Sequence, residues 1–331
     1  MSKPMAKTTK IEALWNDSRD KSKSAPIAEG DFKLVRIDAT SPADIYAAID
    51  GHGNLMIVVG VQSKPPTLTL KSSSLDYFRV QRYQGFAWLM ALRLTDRSLE
   101  PVFGRLCQDL YEEAASISDD LQLINLFMER LTLWKLLFEQ GNGLLPAHEI
   151  MGLIGELLVL EGELQAGRPA HETVSAWQGP LKRDQDFRFD DSAIEVKTTR
   201  PDSQSVSISS LDQLVADVPL SLAVLRIRPA SSTDSAAVTL SSIVLRLEGR
   251  ISPSPQALKL FRFRLLEARY VENEKYDELH FQPISRTDYS VHDSFPRLTR
   301  AGMPPGISDA TYVLDLNTIK DFAIGTTAYD K

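Results

Sequence analysis

The stretch Asp186–Lys197 near the middle of the chain reads as two strands joined at Asp190-Asp191. Strand alternation then places Phe187, Phe189, Ile194 and Val196 on one face and Asp186, Arg188, Glu195 and Lys197 on the other. The first face is core and the second carries charge. A two-residue loop sets Phe187 opposite Ile194 and Asp186 opposite Glu195, with facing Cα atoms about 4.5–5.5 Å apart. Two carboxylates at that spacing repel, and a divalent cation converts the repulsion into a binding site. Mg²⁺ is commonly held by one or two carboxylates completed by water and phosphate oxygens, which an Asp and a Glu on neighbouring strands can provide. Lys197 projects from the same face, placed to orient an attacking water and to offset developing phosphorane charge. The plainer alternative is a surface hairpin with alternating charges. Asp184 has the parity of Asp186 and takes its place if the register slips.

This D-x8-E-V-K pattern on paired strands resembles the core of the PD-(D/E)XK nucleases. The chain as a whole is similar to the bacterial PD-(D/E)XK motif protein family of antiphage defence islands. The similarity rests on Gly155-Glu156-Leu157-Leu158, Asp186-Phe187, Ile194-Glu195-Val196-Lys197-Thr198-Thr199, Val206-Ser207-Ile208-Ser209-Ser210 and Gln213-Leu214, within residues 146–230. Gln185 stands where the motif's proline would be, a departure that touches no ligand. The resemblance implies a nuclease core with Asp186 and Glu195 on the metal, the Val196 carbonyl as a further ligand, Glu156 completing the shell and Lys197 positioning the nucleophile. It implies Mg²⁺ as cofactor, with Mn²⁺ as a substitute.

At 331 residues the chain has room for more than one domain. A net charge of −7 argues against coating nucleic acid by bulk electrostatics, so contact with DNA has to be local or shared. One cysteine, Cys107, excludes an internal disulfide and a multi-cysteine zinc site, in keeping with a reducing cytoplasm. Met1-Ser2-Lys3-Pro4 has no apolar stretch behind it and does not read as a signal peptide; no run of about 18 apolar residues suggests a membrane span. The five histidines show no ligand spacing. Neither a P-loop nor a G-x-S-x-G nucleophile elbow is present.

In chain order, Ile11–Trp15 reads as a short helix followed by a polar loop. Residues 32–37, 54–60, 68–70 and 77–80 read as strands punctuated by Asp50-Gly51-His52-Gly53 and Lys64-Pro65-Pro66, closed by 86–94. From Leu99 the period becomes helical, with Phe103, Leu106, Leu110 and Tyr111 on one helix and Leu121, Ile124, Leu131 and Trp134 on a second, stopped at Gly141-Asn142-Gly143. Pro146 opens a helix to about Gln165. A Gly/Pro loop, the hairpin, a strand at 205–209, a short helix near 211–215 and a strand at 220–228 follow. Helices at 240–248 and 255–270 lead to strands at 278–284, 288–291 and 312–316. The expected organisation is α/β (α+β): a β-rich domain over 1–98, a helical connector over 99–145, a restriction-endonuclease-like core over 146–230 and an α/β extension over 231–331.

Glu156 has Gly152, Leu153, Val159 and Leu160 as helical neighbours, and a carboxylate on an apolar patch is costly unless paired or metal-bound. The competing reading is an acidic stripe of Glu149, Glu156 and Glu163. Gln213, Ser209 and Ser210 follow the third core strand, where helix-start amides attract phosphate; an ordinary N-cap explains the serines equally. Arg200 joins Lys182, Arg183, Arg188, Arg226 and Arg228 in a locally basic segment that either meets DNA phosphates or is a solvated face. The leading expectation is a Mg²⁺-dependent DNA endonuclease of a defence or restriction system. Its rivals are a non-catalytic DNA-binding or scaffolding subunit and a metal hydrolase acting on RNA or nucleotides. The resemblance further implies partners encoded alongside, namely a methyltransferase, a GHKL or MutL-like ATPase, a Z1-domain protein and an AIPR protein, in a complex that allows a homodimer and involves no membrane.

Overall fold

The computed structural model describes residues 9–68, 74–82, 85, 87–139 and 144–329. The fold is α+β, in two compact units: Met1–Leu144 with Val271–Asn273, and Leu145–Tyr270 with Glu274–Lys331. The helices between 99 and 145 belong to the first unit. Strands from beyond residue 230 are hydrogen-bonded into the sheet of the second.

The first unit opens with α1 (Lys10–Ser22), longer than its apolar residues suggest because Thr9 and Glu12 form a reciprocal capping box. The helix continues past Trp15 to Ser22, held by Ile11, Trp15 and Ser18 on the buried side and by the Arg19–Glu100 ion pair, and the rest of the polar run, from Lys23 on, is turn and loop. Strands β1 (Phe32–Arg36), β2 (Asp44–Asp50), β3 (Leu55–Val61), β4 (Leu75–Gln81) and β5 (Trp88–Leu94) form an antiparallel sheet in the order β1-β2-β3-β5-β4. Strand β2 escapes sequence reading because its alanines carry little β-propensity. The two edge strands curl towards each other until the Phe32 and Phe78 rings meet at 6.2 Å, over the small Ala48 and Ala91 of the concave face. Helices α2 (Glu100–Ala114) and α3 (Asp120–Glu139) complete the unit, with Trp15 stacked on Phe103 at 5.5 Å and Phe103 edge-on to Trp134 at 6.5 Å. Leu121, expected on the buried stripe of α3, is exposed, while Phe127 packs against Tyr77. Thr69-Leu70 of the expected strand, Phe86 and the Gly141-Asn142-Gly143 stop lie outside the described residues.

The second unit is built from α4 (Ala147–Gln165), α5 (Ala170–Ala176), β6 (Phe187–Arg188), β7 (Ala193–Thr199), β8 (Ser205–Ile208), β9 (Leu220–Pro229), α6 (Leu240–Ile251), α7 (Pro255–Glu267), β10 (Phe281–Val291), β11 (Tyr312–Asp315) and β12 (Ala323–Ala328). Its main sheet runs β12-β10-β9-β7-β6, with β7 and β9 parallel and the other pairs antiparallel. Three expectations are corrected. Strand β8 leaves this sheet to pair with β11 in a separate two-stranded ribbon. The short helix near 211–215 is a turn, because the Gln185 side-chain amide binds the Asp212 and Val215 carbonyls and Arg297 binds that of Leu214, so side chains replace the helical ladder. The segments 278–284 and 288–291 form one strand, β10, which accommodates Pro283 at an irregularity in its pairing with β9. Helix α5 and the wholly exposed β12 are additional.

Helix α4 packs on β7 at Gly155, where a β-carbon would stand 2.2 Å from Thr198 Cγ2 and 3.7 Å from Val196 Cγ1. Thr198 is β-branched and stiff, so it gives way poorly. Gly155→Ala is expected to destabilise the second unit by about 1–3 kcal/mol, read as a lower denaturation midpoint. Adding Thr198→Ser should recover much of the loss, since it removes the opposing methyl.

Candidate active site

The hairpin register puts Phe187 opposite Ile194 and Arg188 opposite Ala193, and the Phe189 amide closes the turn on the Ser192 carbonyl at 2.8 Å. Phe187, Phe189, Ile194 and Val196 are buried, as alternation demands. Strand β6 pairs only over Phe187–Arg188, so the ladder ends before Glu195. Asp186 takes over at that point, its Oδ2 accepting the Val196 amide at 2.8 Å while its own carbonyl accepts the Gln178 and Gly179 amides at 2.7 and 3.0 Å. A carboxylate is thereby fixed at the rim of the sheet. Asp184 is exposed, and Asp186 occupies the site.

Glu156 reaches the same rim from α4, the residue after the close contact at Gly155. Its Oε2 accepts the indole N–H of fully buried Trp177 at 2.7 Å. Trp177 packs on Phe261 of α7, which helps to hold the indole facing the carboxylate. Beside it, a β-carbon on Gly179 would fall 2.3 Å from Glu156 Oε2 and 2.8 Å from Asp186 Oδ1. The two carboxylates therefore converge on a space left open by the missing side chain.

Glu195, 1 % exposed, and Lys197 come from β7. Lys197 Nζ lies 2.7 Å from Glu195 Oε1, and among the described residues Glu195 Oε2 is buried without a hydrogen-bond partner. The ammonium also donates to Gln213 Oε1 at 3.1 Å, and that oxygen accepts the Ser209 amide at 2.7 Å. Gln213 thus joins the cluster through Lys197. Ser209 contributes its backbone N–H, and Ser210 makes no described contact with the group. Arg200 is exposed, and its carbonyl accepts from Arg226.

Burial raises all three carboxyls. The Glu156 carboxyl is pushed up to about 8 by burial and then by the Asp186 charge, against the opposing indole bond and Lys197. Asp186 is raised by burial despite the Val196 amide and Lys197. Glu195 is raised well above the usual carboxylate range by burial and Asp186, with Lys197 opposing. Each acid disfavours ionisation of the others, the arrangement that a cation relieves.

Among the described residues no set of three or more His, Cys, Asp or Glu side chains stands at metal-cage spacing. The carboxylates instead suit an open site: Glu156 and Asp186 converge beside Gly179, and Glu195 presents a buried Oε2 without a hydrogen-bond partner next to an Oε1 that carries the Lys197 ammonium. That donor set fits a hydrated Mg²⁺ or Mn²⁺ with one or two protein carboxylates, water and phosphate oxygens completing the shell. A cavity between α4, α6 and the β10–β12 edge contains none of these groups, and its Glu161–Arg246 and Glu163–Arg286 charges are already paired.

Trp177 and Gly179 were not legible as site residues. Each lies in a Gly/Pro-punctuated connection, and only the long-range folding of that connection onto α4 brings it to the carboxylates. No helix among the described residues is long and apolar enough to cross a membrane. The model of the DUF4420 family, described as "Putative PD-(D/E)XK family member", matches residues 11–317. No curated protein and no solved structure matches the chain.

Proposed function

The chain belongs to the DUF4420 family, and from that premise we propose that it is a Mg²⁺-dependent DNA endonuclease of a bacterial antiphage defence or restriction system, acting in the cytoplasm. The observation that carries the reading is the convergence of Glu156, Asp186, Glu195 and Lys197 at one sheet rim, with Glu195 buried, its Oε1 beside the Lys197 ammonium and its Oε2 without a hydrogen-bond partner among the described residues.

Asp186 and Glu195 would hold the metal, with the Val196 carbonyl as a further ligand and Glu156 completing the shell directly or through water. A bound Mg²⁺ supplies a water of lowered pKa and polarises the phosphoryl oxygen. The protein's own part is positioning. Val196 N–H fixes Asp186, Trp177 N–H aims Glu156, and Lys197 offers the mobile ammonium that orients the nucleophile and offsets charge on the phosphorane. Gln213 steadies Lys197. Arg200 and the serines at 209 and 210 would contact the DNA backbone in this reading. With a net charge of −7 the chain has little bulk attraction for DNA, which favours action beside partner subunits such as the methyltransferase, the GHKL or MutL-like ATPase, and the Z1-domain and AIPR proteins.

The lack of a three-carboxylate cage among the described residues favours a second reading, a non-catalytic DNA-binding or scaffolding subunit. Cleavage assays on methylated and unmethylated DNA, with and without the partners, separate the two. The nuclease reading expects strand scission with Mg²⁺ or Mn²⁺ that chelator abolishes. DNA left intact in every combination, by a folded protein that binds neither ion, would establish the scaffold.

A further inference from the structure

Lys197 occupies an unusual position for a group needed by the nucleophile. Its ammonium rests on Glu195 Oε1 at 2.7 Å, on one of the oxygens a metal would use, while its second contact, Gln213 Oε1, lies 3.1 Å away on the other side. Glu195 is buried and its Oε2 has no hydrogen-bond partner among the described residues, so the Lys197 ammonium at Oε1 is what compensates its charge. Gln213 Oε1 is held in place by the Ser209 amide at 2.7 Å, and the turn that bears it is pinned from outside. Gln185 binds the Asp212 and Val215 carbonyls, Arg300 pairs with Asp212, and Asp309 accepts the Leu211 amide. The acceptor is therefore rigid and the ammonium, on four methylenes, is the part able to move.

We propose that Lys197 is an internal counter-ion that occupies the metal site of the metal-free protein, and that Gln213 is the positioning residue that receives its ammonium when a divalent cation takes Glu195. This rests on the nuclease reading for its metal and extends it to the order of events at the site. A divalent ion on Glu195, at Oε2 or at both oxygens, would stand close to the ammonium on Oε1, and the repulsion between the two cations favours its leaving Glu195 as the ion enters. Gln213 limits how far it goes. The displaced Nζ stays at the edge of the metal shell, beside the place of a metal-bound water, instead of swinging into solvent.

The test is Mn²⁺ binding followed by electron paramagnetic resonance on the full chain, without DNA, for wild type, Lys197→Met, Gln213→Met and the double variant, each checked for folding by circular dichroism. Lys197→Met is expected to bind Mn²⁺ roughly 10-fold tighter than wild type, because the competing charge is gone. Gln213→Met is expected to bind several-fold more weakly while Lys197 is present, and to have no effect in the Lys197→Met background. Equal or weaker binding by Lys197→Met overturns the counter-ion role while leaving a metal site in place. The same Gln213→Met loss in both backgrounds overturns its action through Lys197. Absence of Mn²⁺ binding in both wild type and Lys197→Met, with the fold intact, removes the metal reading itself and the inference with it.

Discussion

Asp186→Asn is expected to lower metal-dependent cleavage on the order of 10³-fold or more and, in the absence of metal, to make the protein more stable at pH 8. Loss of activity follows from removing the carboxylate on which the cluster turns. The carboxamide oxygen of the variant can still accept the Val196 amide, so the backbone at the rim has no reason to move. The gain in stability follows from the sign of the linkage. Burial and Asp186 hold the Glu156 carboxyl near 8, against about 4.3 for a free glutamate. Between those limits the folded protein keeps a proton that the unfolded chain releases, so metal-free stability declines as pH rises through that window. Glu195, raised in the same direction by burial and Asp186, adds to the decline. Removing the Asp186 charge weakens both shifts. The variant should match wild type near pH 4 and exceed it by on the order of 1–3 kcal/mol at pH 8, a rise of several degrees in Tm. Saturating Mn²⁺ should reverse the order, since wild type gains the binding free energy and the variant does not. Thermal melts at pH 5 and pH 8, with and without Mn²⁺, measure all of this. A variant less stable than wild type at pH 8 without metal would show that Asp186 holds the fold together rather than repelling its neighbours.

The hairpin was legible because its information is local. Alternation and a two-residue turn determine which residues face each other, and the register of Phe187 with Ile194 needs nothing from elsewhere in the chain. Glu156 was legible for a related reason: a carboxylate among Leu153, Val159 and Leu160 has to be explained wherever the helix packs. What periodicity missed is set by long-range contacts. The turn at 211–215 has the composition of a short helix, but its carbonyls are taken by Gln185 and Arg297, one residue before Asp186 and one more than eighty residues later. Strand β8 was placed in the core sheet by its order in the chain, whereas its partner β11 lies about a hundred residues onward. Gln185 shows the limit of motif comparison. At the position where the motif has a proline it makes a bond that proline cannot, tying the segment that carries Asp186 to the turn that carries Gln213.

Gly179→Ala should cut metal-dependent cleavage by roughly 10²-fold while lowering metal-free stability by only about 1–3 kcal/mol, the cost of leaving the Trp177 indole N–H without its acceptor. The added methyl would fall 2.3 Å from Glu156 Oε2 and 2.8 Å from Asp186 Oδ1, too close for either oxygen to stay. Both are at the ends of side chains, so the strain is relieved by rotating the carboxylates apart instead of moving the backbone, and the fold is largely spared. Function is not, because displacement by about 1 Å is enough to spoil a metal shell or an in-line attack. Gly179 has no left-handed backbone conformation to defend among the glycines that do, so a loss on substitution reports the space beside the carboxylates and not chain strain. Glu156 is also drawn from the Trp177 indole by the same rotation, so Mn²⁺ affinity should fall together with the cleavage rate. Full activity in Gly179→Ala would mean that Glu156 and Asp186 do not need to meet there, and would detach α4 from the catalytic group.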